Sequence, residues 1–284
     1  MQQSIGWPTI SLVRDPSMRL TVGRCQDPRL TYLNDSGYNV VRLPRKGIIP
    51  LGVLGRDHKA NNWLGTLDQI WKSDFPPPIT GAPQSVAALT GTKTSDFKLS
   101  VGLDILANAL NGMFGGSAPS VESTYQNAKS IQFTFRDVRS TGIDPFLVGN
   151  FLSKGDLADK NPVVKRYFSN LNDVDALVIT EVLESKSLGV TGKKDANTAL
   201  SVNVPELQAI LGTKVSVTAT NSSNTELTYE GADYLVFGYK AFGIAMLNGE
   251  WQIYGVAPDE SGAFAVGTTL GDPIVDAGRL VQIE

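Results

Sequence analysis

One cysteine, Cys25, and one histidine, His58, are all that the 284 residues hold of the side chains most used for metal binding and proton relay. A single cysteine forms no internal disulfide, so folding needs no oxidising compartment. One histidine and one distant cysteine give no metal-ligand spacing, and no metal is expected. Excess positive charge is lacking too. The net charge is −3 and the pI is near 5.3, which argues against a bulk nucleic-acid binder. No run of about eighteen apolar residues occurs, so no transmembrane helix is written into the chain. The first 24 residues include Trp7, Pro8, Arg14, Asp15 and Pro16 and contain no apolar core of signal-peptide type. A membrane role must therefore come from refolding, a lipid anchor or strands, whose membrane signal is only alternation.

Catalytic motifs are equally scarce. His58 lies in the polar stretch Gly55-Arg-Asp-His-Lys and reads as an exposed bystander. Gly115-Gly-Ser-Ala-Pro lacks the Gly-x-Ser-x-Gly elbow. Gly189-Val-Thr-Gly-Lys-Lys is too short for a phosphate loop, has no Ser or Thr after the lysine, and sits between strand-like runs. It reads as a hairpin turn. No Gly-x-Gly-x-x-Gly fingerprint is present, and the carboxylates suggest no pair. No enzyme and no cofactor are predicted.

What is present is a mixture of helix and strand patterns. Apolar residues make up 42% and charged residues 19%, as in ordinary globular proteins. Residues 26–36 read as a helix between Asp27-Pro28 and Gly37, followed by a strand over 38–43. An apolar run from Ile48 to Leu54 is broken by Pro50 and Gly52, and Trp63 to Trp71 reads as a short helix. Residues 74–94, with Pro76-Pro-Pro and Gly91, read as a loop or mobile flap and as the best candidate for a break. Phe97-Lys-Leu-Ser-Val-Gly alternates like a strand. Leu103, Leu106, Leu110 and Met113 follow at helical spacing, a stripe whose ordinary use is core packing. Strands are predicted at 131–136, 176–188, 200–204 and 214–220, with a turn at 189–196. Helices are predicted at 144–153 and 161–171, each opened by a cap residue and proline. The sum is an α+β protein with a twisted, mostly antiparallel sheet and packed helices.

The tail is acidic. From Leu247 to Glu284 there are six acidic residues and only Arg279 on the basic side, so the segment carries −5 and leaves the body at +2. Its loss would modestly favour approach to anionic lipid. Pro258, Asp259, Glu260, Ser261, Gly262 and Ala263 form an exposed, cleavable loop in this reading, with the window extending to Leu270. Ile274, Val275, Leu280, Val281 and Ile283 then plug a groove, or belong to an ordinary docked tail.

Three blocks carry a family resemblance. The block from Cys25 to Arg45, the run Asp175–Leu188 with its core Thr180-Glu-Val-Leu, and Leu227–Ala241 with Gly231 and Tyr234 resemble, in order and spacing, bacterial gasdermins over about residues 25–242. About forty residues follow, as in the bacterial type. The resemblance implies a soluble cytoplasmic monomer, autoinhibited by a short C-terminal peptide. A protease encoded nearby would cut the peptide. The body would then assemble into a homo-oligomeric transmembrane β-barrel that permeabilises the cell's own inner membrane, in antiphage defence. It implies a body over 25–257, a linker and inhibitory peptide over 258–284, and an N-terminal extension over 1–24, with translation beginning downstream at Met18 or near Val22.

Further roles follow from the same resemblance. Cys25 is the expected acylation site, carrying palmitate or a similar chain; read alone, it is equally a small buried thiol. Phe97, Leu99 and Val101 with Ile131, Phe133 and Phe135, and Leu177, Ile179 and Leu183 with Val202 and Val204, would face lipid in two unfurled hairpins. Glu181, Glu184 and Lys186 would face the aqueous lumen or lie near an interface. Arg42, Arg45 and Lys46 are candidate lipid-headgroup contacts. Without the resemblance, the residues also fit a non-lytic α+β binding or structural protein with a docked acidic tail.

Overall fold

The computed structural model describes residues 38–57, 60–94, 96–158, 160–168, 175–247, 250–255 and 266–267. The predicted helix at 26–36, Cys25, His58, the 258–263 loop and positions 270–283 lie outside them. The fold is α+β, and twelve of the described strands share one curled sheet that is antiparallel at all pairings but one.

The first strands are β1 (Asn39–Arg45), β2 (Gly52–Asp57) and β3 (Ala60–Thr66). One helical turn, α1 (Leu67–Ile70), leads into β4 (Trp71–Ser73). The segment predicted as a helix from Trp63 to Trp71 is therefore mostly strand. Pairing with β2 claims the residues through Thr66, and only Leu67 and Ile70, three apart and both buried, need a helical turn. The proline-rich segment 74–94 contains β5 (Gln84–Ser85). It is stitched to the sheet by backbone bonds from Gly81, Val86, Gly91 and Thr94 to Gly142, Val138, Phe135 and Phe133.

Next come β6 (Phe97–Lys98), α2 (Leu99–Phe114), the short α3 (Glu122–Tyr125) and β7 (Ser130–Arg136). The alternation over Phe97–Gly102 does not persist as a strand beyond Lys98. Gly102, Leu106, Ala109, Leu110 and Met113 bury one helical face, and this longer 3.6-residue period overrides the short period of two. After β8 (Arg139–Gly142), α4 (Pro145–Ser153) starts as predicted, with Asp144 accepting from the Phe146 N–H at 2.9 Å. β9 (Gly155–Leu157) and α5 (Pro162–Phe168) follow.

The spine is β10 (Asp175–Lys193), nineteen residues long. The predicted turn at Gly189–Ala196 is displaced, because the strand runs on through Lys193. Its glycines serve close packing instead. A Cβ at Gly189 would stand 2.8 Å from the Thr134 side chain, and one at Gly192 would stand 3.0 Å from the Tyr125 ring. The strand predicted at Leu200–Val204 is also corrected. Asn203 caps a helix, α6 (Val204–Leu211), accepting from the Glu206 N–H ahead of a proline in the first turn, and these cap signals outweigh the alternation. β11 (Val215–Ala219), β12 (Leu227–Leu247), β13 (Glu250–Gly255) and β14 (Val266–Gly267) complete the elements.

β10 pairs along one edge with β2, β8 and β7 in turn, and along the other with β12. Four hydrophobic clusters result among the described residues, two of them large. Leu106, Leu110, Tyr125, Ile131, Phe133, Val190, Val215 and Tyr229 pack beneath α2 and α6. Trp71, Phe151, Leu152, Tyr167, Val178 and Ile244 pack around α4 and α5, with Trp71 edge-on to Trp251 at 4.8 Å.

Candidate membrane-inserting region

Two strand–helix–strand stretches occupy one end of the sheet: β6–α2–α3–β7 and β10–α6–β11. β7 reads Ser-Ile-Gln-Phe-Thr-Phe-Arg, and its apolar residues share one face. Ile131 and Phe133 are buried, and Phe133 meets Phe97 of β6 edge-on at 5.5 Å. Phe135, half-buried, stacks on Phe237 of β12 at 4.4 Å. Leu99 and Val101 sit in the first turn of α2, partly buried against the same cluster. On β10, Leu177, Ile179 and Leu183 are buried. Val202 is buried in the loop before α6, and Val204 opens that helix. The structure thus brings Phe97, Leu99, Val101, Ile131 and Phe133 together with Val202 and Val204 in one core. It places Leu177 and Ile179 in a different cluster, with Val41, Leu54 and Tyr239.

Charges on the sheet are held in cross-strand pairs. Glu181 takes the Tyr38 hydroxyl at 2.7 Å and Lys240 at 3.1 Å. Glu184 pairs with Arg139, whose guanidinium lies over the Tyr234 ring at 3.2 Å. Lys186 meets Glu230 at 2.9 Å. All three polar residues singled out on β10 therefore have opposite-sign partners on neighbouring strands.

A further cluster joins the two stretches. Glu226, in the turn between β11 and β12, accepts from Arg136 at 2.6 Å and from the Thr134 hydroxyl at 3.2 Å, with Lys93 at 3.6 Å. Burial pushes the Glu226 carboxyl up, but the Arg136 hydrogen bond and the charges of Lys93 and Arg136 outweigh it and hold the group below its usual range. Nearby, the Tyr125 and Tyr229 hydroxyls share a hydrogen bond of 2.7 Å, and both side chains are fully buried. Burial raises both hydroxyls above the ordinary tyrosine value.

Of the basic candidates, Arg42 and Arg45 lie on β1, and partial burial lowers the Arg45 guanidinium. Lys46 is paired with Asp233. Sequence reasoning missed β14. Val266 and Gly267 pair in parallel with Asn61 and Asn62, covering that part of the outer edge of β3 from inside the window of the tail read as cleavable. It also missed Glu226 and the tyrosine pair, whose partners lie 90 and 104 residues away. Among the described residues no group of His, Cys, Asp and Glu is placed to hold a metal, and no helix is long and apolar enough to cross a membrane.

Among the described residues the geometry offers alternating strands, covered by helices and joined by cross-strand ion pairs. The model of the Bacterial Gasdermin Family matches residues 41–263. Gasdermin bGSDM of Vitiosangium sp. is 36% identical over 271 residues, covering 93% of this chain and 99% of that protein. Gasdermin bGSDM of a Desulfuromonadales bacterium is 34% identical over 259 residues, covering 90% and 95%. The solved bacterial gasdermin from Bradyrhizobium tropiciagri shares the fold, with a TM-score of 0.60 at 15% identity, covering 83% of this chain and 94% of that one. The chain belongs to the bacterial gasdermin family, whose members are pore-forming effectors and not enzymes.

Proposed function

We propose that this chain is an autoinhibited effector that a protease, encoded nearby, activates by cutting between residues 258 and 271. The freed body opens the cell's own inner membrane as a homo-oligomeric β-barrel and kills the cell, in antiphage defence. The observation that carries this reading is β7. On its apolar face Ile131 and Phe133 are buried and Phe135 is half-buried, while the polar Gln132, Thr134 and Arg136 stand on the other face. A barrel strand needs this two-sidedness over about 9–11 residues. Extending β7 into the residues before it, and β6 into α2, reaches that length only if the helices unwind.

The tail supports the latch. A cut anywhere in 258–265 separates β14 from the body and uncovers the β3 edge. A cut just before Asp259 removes five acidic residues with Arg279, a segment of −4, and leaves a body of +1, with Arg42, Arg45 and Lys46 on or beside β1 as headgroup contacts. Lys46 must first leave Asp233. An acyl chain on Cys25 adds affinity of about 0.8 kcal/mol per buried methylene, too little alone for stable anchoring and enough to bias insertion. Expression in bacteria of residues 1–260 beside the full chain tests the reading. Rapid loss of membrane potential and growth is expected from the shortened form alone; several truncations across 258–271, all as inert as the full chain, refute the latch.

A further inference from the structure

We infer that the C-terminal end of α2, Met113-Phe114-Gly115, is the ready-made turn of the first inserting hairpin, whose arms are residues 97–112 and 116–131. The inference rests on the pore reading. It fixes where that hairpin reverses and which residues stand opposite each other in it.

Two independent lines meet at this turn. The first is register. β6 pairs antiparallel with β7, Phe97 opposite Ile131 and Lys98 opposite Ser130. The ladder already enters the helix, because the Leu99 N–H donates to the Lys129 carbonyl at 3.1 Å. Each further step advances one arm by a residue and draws the other back by one. Carried on, the pairing sets Asn108 opposite Ser120 and Gly112 opposite Gly116. Met113, Phe114 and Gly115 are left as a three-residue loop.

The second line is local conformation. The common three-residue hairpin loop is a type I turn followed by a residue in the left-handed region. The central residues of a type I turn have near-helical angles, and Met113 and Phe114 close α2. Gly115 follows with φ 68° and ψ 26°. Its N–H donates to the Gly112 carbonyl at 3.2 Å, the bond that closes such a turn. The chain beyond already runs back, with the Gly116 N–H on the Asn111 carbonyl at 3.0 Å and the Ala118 N–H on the Asn111 side chain at 2.7 Å. Helix end and hairpin loop therefore share one backbone shape, and the arms can change while the turn stays.

The outgoing arm carries both periods at once. Read at 3.6 residues it buries Leu106, Leu110 and Met113. Read at two, every second residue from Phe97 to Ala109 is apolar, and Lys98, Ser100, Asp104 and Asn108 fall between them. Each arm is longer than the roughly 9–11 residues that cross a bilayer.

Cross-linking tests the register. The full chain, with Cys25→Ala and an engineered protease site within 258–263, is cut on dye-loaded vesicles of phosphatidylethanolamine and phosphatidylglycerol. Asn108→Cys with Ser120→Cys should form a disulfide in the leaking vesicles at least about tenfold faster than Ala107→Cys with Ser120→Cys, because neighbouring strand positions face opposite sides. Ala107 and Ser120 are exposed at rest and Asn108 is half-buried, so these changes spare the core. Leaking vesicles in which both pairs cross-link equally, or neither does, overturn the inference. Gly115→Ala gives a second reading. It should lower the melting temperature of the uncut chain, since a left-handed alanine is strained. It should leave leakage within about twofold, because the loop keeps that conformation in both states. If Gly115 served only to cap α2, alanine would fray the helix and speed leakage about fivefold or more, and that acceleration overturns the turn. No leakage from the cut chain refutes the pore reading, and the inference with it.

Discussion

The tyrosine pair makes the most quantitative prediction about the resting state. Tyr125 ends α3 and Tyr229 lies on β12, so their bond of 2.7 Å ties the first strand–helix–strand stretch to the central sheet. Each hydroxyl is fully buried, and Gly192 crowds the Tyr125 ring so closely that little relaxation is open to it. Tyr125→Phe leaves the Tyr229 hydroxyl without this partner, and Tyr229→Phe does the converse. Either orphaned group costs about 1–3 kcal/mol. The double variant orphans nothing and should cost no more than about 1 kcal/mol, because removing both partners is close to neutral. For a chain of this size each kcal/mol moves the melting temperature by about 2–4 °C. Either single variant should thus melt about 2–12 °C lower, and the double variant should recover most of the loss. Calorimetry on the full chain reads all four proteins. Because burial raises both hydroxyls, their contribution is present below about pH 10, the unfolded value, and erodes as pH rises above it. The reasoning fails if the two losses simply add in the double variant.

Other consequences concern the clasps, the strands and the anchor. Glu226→Gln should lower the melting temperature of the full chain and speed leakage after cleavage. Since the folded carboxyl is held below its usual value, its contribution is present above about pH 4 and disappears as pH falls through the folded value, so the variant should flatten acid destabilisation there. Leu188→Lys changes a half-buried position on β10. At mid-bilayer the lysine costs about 2–4 kcal/mol, so leakage by residues 1–260 should fall sharply while the full chain melts near wild type; normal leakage removes this part of β10 from the membrane. Cys25 should carry a hydroxylamine-labile acyl group by intact mass spectrometry, and Cys25→Ala should weaken killing by the truncated form. An unmodified native protein whose alanine variant kills equally makes Cys25 a packing residue.

Much of the fold was legible because its signals are local. Asp144-Pro145 caps α4, and the alternation over Ile131–Arg136 and Val215–Ala219 survives as strand. Errors arose where two local codes overlapped. Leu200–Val204 alternates, yet Asn203 and the following proline start a helix; Phe97–Gly102 alternates, yet joins a longer helical stripe. Gly189 and Gly192 looked like turn residues because the need for a missing Cβ is visible only once Thr134 and Tyr125 stand beside them. The candidate site was legible only as a family resemblance. Its clasps are pairings across the fold, such as Glu226 with Arg136 and Tyr125 with Tyr229, and no single-chain pattern foreshadows them. Leu177 and Ile179 illustrate the opposite limit. Both are buried in the resting core, so a charge there unfolds the protein before it can report on a membrane.

The central claim is that loss of the tail turns this folded chain into a membrane pore built from its own strands. Vesicles loaded with dextrans of graded size, mixed with residues 1–260 or with the full chain, test it most directly. The account predicts release by the shortened chain up to a sharp size limit, with retention by the full chain. Equal retention by both, or release of every size at once as in simple lysis, would contradict it.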